Sequence, residues 1–157
     1  MQALNLPAYS FRIQTKKQKK YIFDDYRKKF VKLTSEEWVR QHFIRYLTHN
    51  LGYPGSLVAV EMPLRLNRID FRADIVVYSR YGQPVLVVEC KAPEVSINQQ
   101  TFDQILIYNM QLQVRYLVVT NGLQHYCCRL YPEKGTYRFL NYIPDYSQLL
   151  EDSSSRE

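Results

Sequence analysis

Long apolar runs are missing from this chain. No segment approaches the roughly 20 residues that a membrane-spanning helix needs, and the first 30 residues contain no stretch apolar enough for a secretory signal. Cysteine is scarce as well: Cys90, Cys127 and Cys128 are the only three. That odd count, with no Cys-x-x-Cys spacing, argues against a disulfide framework or a zinc site and for a reducing compartment. Cytoplasmic location without membrane contact is therefore expected. His42, His49 and His125 lack ligand spacing and read as surface or packing residues. Cys127-Cys128 reads as a packing pair on a strand. Internal repeats and linkers are absent too, so 157 residues predict one domain large enough for a real core.

What is present in excess is apolar content at 46%, 14 Tyr, and positive charge at a formal +6. The first two predict a folded chain. The charge points to an anionic partner, nucleic acid first, or to solubility alone. It concentrates at Lys16, Lys17, Lys19 and Lys20, which can contact phosphates or simply form a solvated turn. Residues 1–20 read as a loose arm, 21–150 as the domain, and 151–157 as a disordered polar tail.

Within the domain, 21–23 and 30–33 read as strands around a charged turn. Thr34 and Glu37 have the spacing of a capping box. Val39, Phe43, Tyr46 and Leu47 then give a helix one apolar face until about Gly52. Residues 57–66 form a strand that Pro63 confines to an edge or a bulge. Asn67-Arg68 reads as the turn into the next strand, and residues 96–112 form a second helix on which Gln104 and Tyr108 stack four apart. Strands at 115–120, 124–131 and 136–140 follow, the first two joined at Asn121-Gly122. Residues 142–150 form a short helix or coil.

The stretch from Arg72 to Pro93 is the unusual one. Two apolar runs, 75–78 and 85–88, flank a turn-rich segment and predict a hairpin. Asp74 opens its first strand, and Glu89, Cys90 and Lys91 close its second. Residues two apart on a strand share a face, so Glu89 and Lys91 point one way and Cys90 the other. The hairpin folds Asp74 back towards them. A buried sheet does not hold such charges without a partner or a use. Phosphodiester hydrolysis is one use: Mg²⁺ is held by oxygen ligands, a water is activated, and charge on phosphorus is stabilised. Asp74 and Glu89 can supply carboxylates, and the backbone carbonyl of Cys90 lies between Glu89 and Lys91. Lys91 can orient the water or stabilise charge. A structural salt-bridge cluster is the plainer reading.

These residues resemble the PD-(D/E)xK nuclease superfamily: Asp74, a gap of 14 residues, then Glu89-Cys90-Lys91, with Ala73 where the proline would stand. The order of elements matches its mixed α/β (α+β) core, a restriction-endonuclease-like fold of helix, three-strand meander, helix and strand, here with extra β-hairpins at both ends. Five segments are similar to the N-terminal nuclease domain of type I restriction enzyme R subunits: Thr-Ser-Glu-Glu-Trp-Val-Arg-Gln (34–41), Arg-Ala-Asp-Ile-Val-Val (72–77), Val-Glu-Cys-Lys-Ala-Pro (88–93), Gln104-x3-Tyr108, and Val-Thr-Asn-Gly (119–122).

The resemblance implies a DNA endonuclease using Mg²⁺, with Mn²⁺ as a substitute. Asp74 and Glu89 would bind the metal and Lys91 would be catalytic. A first-helix glutamate would complete the metal site, and Glu36 is expected because Glu37 is taken up by the cap. Gln104 and Tyr108 would help place DNA, and Lys16, Lys17, Lys19, Lys20 and Arg72 would contact it. R subunits continue into a helicase-like motor that is absent here. A homodimer or a helicase or translocase partner is accordingly expected. The alternative is a nucleic-acid-binding or assembly module that keeps the nuclease fold without catalysis.

Overall fold

The computed structural model describes residues 1–66 and 68–154, with backbone alone for residues 66, 69, 153 and 154. The predicted turn residue Asn67 and residues 155–157 lie outside the described residues. Three strands come first: β1 (Ile13–Lys16), β2 (Lys19–Asp24) and β3 (Lys29–Lys32), an antiparallel sheet of their own. Helix α1 (Ser35–Arg45) follows and ends in one wide turn at Tyr46–Asn50. A six-stranded sheet then runs in chain order through β4 (Val58–Leu66), β5 (Ile69–Tyr78), β6 (Pro84–Cys90), β7 (Tyr116–Thr120), β8 (His125–Tyr131) and β9 (Thr136–Leu140). Helix α2 (Gln99–Gln111) connects β6 to β7, which is why those two strands alone are parallel. Helix α3 (Tyr146–Ser154) closes the chain.

Helix, three-strand meander, helix and strand therefore occur in the expected order. β4 is an edge strand, a place where Pro63 is tolerated.

The two helices cover opposite faces of the sheet, and strand alternation sorts the core between them. Val39 and Phe43 of α1, with Leu47 of the wide turn that follows it, pack with Ile75, Val77, Leu86, Val88 and Val118. Phe102 and Leu106 of α2 pack with Val76, Val87, Leu117 and Val119. Each fully buried Val, Leu or Phe among them contributes about 1.5–3 kcal/mol. Cys127 and Cys128 divide between the same two layers, one on each face, as packing residues.

Two expectations about the termini are corrected. Residues 1–12 are tied down rather than loose. Leu4 and Leu6 pack on the α1-side core. Asn5 donates its amide to the Gly122 carbonyl at 2.8 Å, and the Trp38 ring nitrogen donates to the Gln2 carbonyl at 2.8 Å. Nothing periodic marks these residues, because they form no helix or strand and half-bury only Leu4, Leu6, Tyr9 and Phe11. At the other end α3 extends to Ser154, into the segment read as disordered. Leu149, 3% exposed, anchors it in the core.

Candidate active site

Asp74 and Glu89 meet because two strands part. β5 and β6 pair as far as Ile75 opposite Val88. Beyond that, β5 stays with β4, and β6 stays with β7 up to Cys90 opposite Thr120. Asp74 and Glu89 are the next residues in register, at the mouth of this fork. The Cys90 amide donates to Asp74 Oδ2 at 2.7 Å and so bridges the gap. Lys91 lies just past the strand, its amide donating to the Thr120 carbonyl at 2.8 Å. Cys90 turns its thiol into the α1-side core, and strand alternation sends the preceding Glu89 the other way. What it is seen to offer Asp74 is its amide.

Glu89 carries a large electrostatic anomaly. Burial first, and then the adjacent Asp74 charge, push its carboxyl group up to about 9, against the pull of Lys91. Its Oε1 is buried without a hydrogen-bond partner among the described residues. The Asp74 carboxylate lies within hydrogen-bonding reach of the Glu89 carboxyl. Glu36 joins them from α1. Its carboxyl is also raised, by partial burial and then by Asp74.

The sequence reading missed the residue at the centre of this cluster. Arg40 is 5% exposed. Its Nη2 lies 2.6 Å from Asp74 Oδ1, 2.6 Å from Glu61 Oε1 and 3.4 Å from Glu36 Oε1, while Nη1 lies 2.6 Å from Glu37 Oε1. Burial opposes its charge, but Asp74 and Glu37 more than offset that and raise its pKa. Arg40 follows Glu36 by four residues and Glu37 by three, the ordinary spacing of helical ion pairs. That spacing is the one signal the sequence offered.

Glu61 was missed too. It stands opposite Asp74 in the β4–β5 register, between the pairs Val60–Ile75 and Met62–Ala73. Its φ of +54° interrupts the ladder there, a conformation costly for a side chain of this size and concentrated at functional positions.

Glu37 corrects the capping expectation. Thr34 does cap α1, accepting from the Glu37 amide at 3.0 Å. The Glu37 side chain does not turn back to complete a box. It is buried, and its carboxylate accepts from Arg27 at 2.7 Å, Arg40 at 2.6 Å and Gln41 at 3.1 Å. Two guanidinium partners outweigh one backbone amide. Arg27 in turn donates from Nε to Asp24, which is fully buried. Burial alone would raise the Asp24 carboxyl, but Arg27 and the amides of Arg27 and Tyr26 outweigh it and lower the value. An unbroken chain of ion pairs thus runs Asp24–Arg27–Glu37–Arg40–Asp74.

The remaining candidates lie around this centre. Arg72 is exposed, with Nη1 3.5 Å from Glu61 Oε2. Tyr108, 47% exposed, stacks on Phe71 with centroids 5.7 Å apart and planes at 14°. Gln104 is exposed one helical turn earlier on α2. Lys16, Lys17, Lys19 and Lys20 form the exposed tip of the β1–β2 hairpin. His42 and His125 are packing residues: the first bonds the Trp38 carbonyl, the second the Asn5 carbonyl.

Among the described residues, no group of three or more His, Cys, Asp or Glu side chains is arranged to hold a metal ion as it stands. The guanidinium of Arg40 lies where their oxygens converge. The donor set itself still fits a hard divalent cation. It consists of carboxylates, it leaves a buried Glu89 oxygen without a partner among the described residues, and burial beside the Asp74 charge pushes the Glu89 carboxyl up to about 9, a cost that a bound cation would relieve.

Residues 35–144 match the sequence family described as the N terminus of type I restriction enzyme R proteins (HSDR_N). Among solved structures the chain is similar to a fragment from Vibrio vulnificus YJ016 described as an HsdR subunit of a type I restriction enzyme. The TM-score is 0.55 and the identity 18%, over 78% of this chain and 26% of that one. It is also similar to a DUF820 protein from Anabaena variabilis ATCC 29413 described as a nuclease, with TM-score 0.50 and 10% identity over 88% of each chain. At such identities the likeness shows the fold alone, a restriction-endonuclease-like one. The chain spans about a quarter (26%) of the length of the HsdR fragment. No curated protein matches.

Proposed function

Since this chain belongs to the family of type I restriction enzyme R protein N termini, we propose that it is a metal-dependent endonuclease that hydrolyses DNA phosphodiester bonds. The observation that carries the reading is the fork itself. It gathers two carboxyl groups and a lysine at one sheet end, where burial and the Asp74 charge keep a proton on Glu89. A carboxyl group so displaced by burial and a neighbouring charge, with one buried oxygen lacking a hydrogen-bond partner among the described residues, is what a catalytic or metal-binding position shows.

Asp74, Glu89 and Glu36, with the Cys90 backbone carbonyl, would hold Mg²⁺ or Mn²⁺. Bound there, the cation supplies Lewis-acid polarisation of the phosphate and lowers the pKa of a coordinated water. The residues of the chain do the rest. Lys91 orients the attacking water or stabilises charge developing on phosphorus. The Cys90 amide fixes the Asp74 carboxylate in direction. Arg40 keeps Glu61 and Asp74 at one point until the cation arrives. Gln104 and the Tyr108–Phe71 stack place the DNA, and Arg72 and the hairpin lysines meet its phosphates. The chain works alone, as a homodimer or with a helicase or translocase partner; the solved relative is described as one subunit of a larger enzyme. Among the described residues no helix is long and apolar enough to cross a membrane, consistent with a cytoplasmic site of action.

Supercoiled plasmid with Mg²⁺ or Mn²⁺ is the test. The wild type should nick it, and Lys91→Ala and Asp74→Ala should spare it. Equal residual cutting by all three would mean contamination and end the proposal.

One observation favours a second reading, a DNA-binding or assembly module without turnover: Arg40 already neutralises Asp74 at 2.6 Å. DNA binding that persists in Asp74→Ala, with no cleavage under any metal, would select it.

A further inference from the structure

The positive charge of the chain is not spread over its surface. Residues 11–32 hold nine Lys and Arg against two Asp, a surplus of seven in a chain whose formal total is +6. Both aspartates are occupied, Asp24 by Arg27 and Asp25 by Arg45. The seven lysines of this segment are all exposed, and none pairs with an acidic side chain among the described residues.

Register decides where these cations point. Partners across an antiparallel pair share a face, as do residues two apart on a strand. Lys16 is opposite Lys19, Tyr21 opposite Lys32, and Phe23 opposite Phe30. All six therefore share one face of the β1–β3 sheet. The other face carries Ile22 and Asp24, both fully buried, so the six form the outer face. Arg12 completes it, its guanidinium 4.5 Å from the Phe23 ring centroid and 5.5 Å from that of Phe30. Tyr21, Phe23 and Phe30 are half-buried and belong to neither core layer.

This is an unfavourable surface in isolation. Directly opposed lysines destabilise a strand pair. The turn between them adds to the cost, since Lys17 and Gln18 adopt φ of +51° and +65°, where Asn and Gly are the usual choice. The outer face interleaves cations with aromatic rings, as a strand of nucleic acid interleaves phosphates with bases. A duplex keeps its bases stacked inside and would leave the rings unused. An acidic peptide would have no use for them either.

We propose that the outer face of the β1–β3 sheet binds single-stranded DNA, with phosphates on Lys16, Lys19 and Lys32 and bases stacked against Tyr21 and the Arg12 guanidinium that covers Phe23 and Phe30. The binding stands without cleavage; only the fate of the strand rests on the nuclease reading. The inner side of the same sheet is fastened to the acid cluster through Asp24, Arg27, Glu37, Arg40 and Asp74. A strand held on the outside therefore has a fixed position relative to the fork. The sheet so supplies the positioning that backbone contacts alone leave loose.

Fluorescence anisotropy on the full chain tests this, with metal chelated so that nothing is cut. The probes are labelled oligo-dT, a blunt duplex of equal charge, and oligo-rU. Base stacking is worth about 1–3 kcal/mol per base, so oligo-dT should bind about tenfold or more tighter than the duplex. Tyr21→Ala should remove about tenfold from oligo-dT binding and leave duplex binding unchanged, whereas Tyr21→Phe should keep it. The double variant Lys16→Gln/Lys19→Gln should weaken both and lower the logarithmic salt slope for oligo-dT by about 1.4. Equal affinity for duplex, indifference to Tyr21→Ala, or no binding by any probe would overturn the proposal. Preference for oligo-rU would overturn it in favour of RNA. The two readings fail separately. Loss of plasmid nicking with intact oligo-dT binding rejects only the nuclease. Nicking that survives with no oligo-dT binding rejects only this surface.

Discussion

Glu61 and Asp74 face each other across the β4–β5 pair, and each lies 2.6 Å from the same nitrogen of Arg40. Two carboxylates so placed repel unless a cation sits between them. Here a side chain is that cation, and the left-handed backbone at Glu61 is the strain that brings its carboxylate into range.

Arg40→Gln should therefore be costly. Removing one partner of a buried ionic cluster costs about 3–5 kcal/mol, because the charges left behind stay uncompensated. Chemical denaturation measures the loss. A divalent cation can replace part of the missing charge, so Mg²⁺ should raise the melting temperature of Arg40→Gln more than that of the wild type. An equal or smaller rise in the variant would show that the carboxylates do not take up the ion.

Glu89 predicts an unusual pH dependence for the metal-free protein. Its carboxyl rises from an ordinary value of 4.5 to about 9 on folding, through burial and the neighbouring Asp74. Between those values the native state holds a proton that the unfolded chain has released. Stability from this group is thus complete at low pH and is lost as pH climbs through the window. Denaturation midpoints of the wild type should fall across that range more steeply than those of Glu89→Gln. Metal binding near neutral pH should also expel about one proton, seen as a buffer-dependent heat in calorimetry.

Tyr108 separates placement of DNA from the chemistry. Its stack on Phe71 is worth about 0.5–1.5 kcal/mol of stability, so Tyr108→Ala should remain folded. The expected defect is a raised KM for nicking with kcat largely kept, and Tyr108→Phe should restore the wild-type value. A pure loss of kcat in Tyr108→Ala would assign the ring to the chemistry instead.

Thr34 and Glu37 differ in what they hold. Thr34→Ala should cost about 1 kcal/mol, the usual worth of a helix N-cap. Glu37→Gln should cost more, because it leaves Arg27 and Arg40 short of a buried counter-charge. Urea denaturation of the two variants gives the order directly, and the reverse order would mean that Glu37 acts mainly through the cap.

The fork residues were legible because strand alternation and hairpin folding are local. Asp74, Glu89 and Lys91 follow from reading every second residue and turning once. Glu36 was chosen over Glu37 for a reason that did not hold: Glu37 is withdrawn by two arginines, not by a cap. Arg40 and Glu61 were hidden for a different reason. One looks like a surface helix charge and the other like a polar interruption in an apolar strand. Their meeting depends on cross-strand register and on a positive φ, which no composition or period reports. The outer face of the first sheet was not legible: Lys19 and Lys20 read as a turn rather than as the start of β2, and which face is covered depends on Ile22 and Asp24 being buried.

The first dozen residues reach a turn far along the chain. The His125 ring lies 2.9 Å from the Asn5 carbonyl, across 120 positions of sequence. A Cβ on Gly122 would come within 2.8 Å of Leu4 and 3.0 Å of Val39, so the fit leaves no slack. Closing so long a loop is entropically late. The segment should dock only after the sheet exists, and its amides should exchange with solvent sooner than those of β6 and β7. Assembly should then run against chain order: residues 1–12 find their place only after strands more than a hundred positions further along have formed.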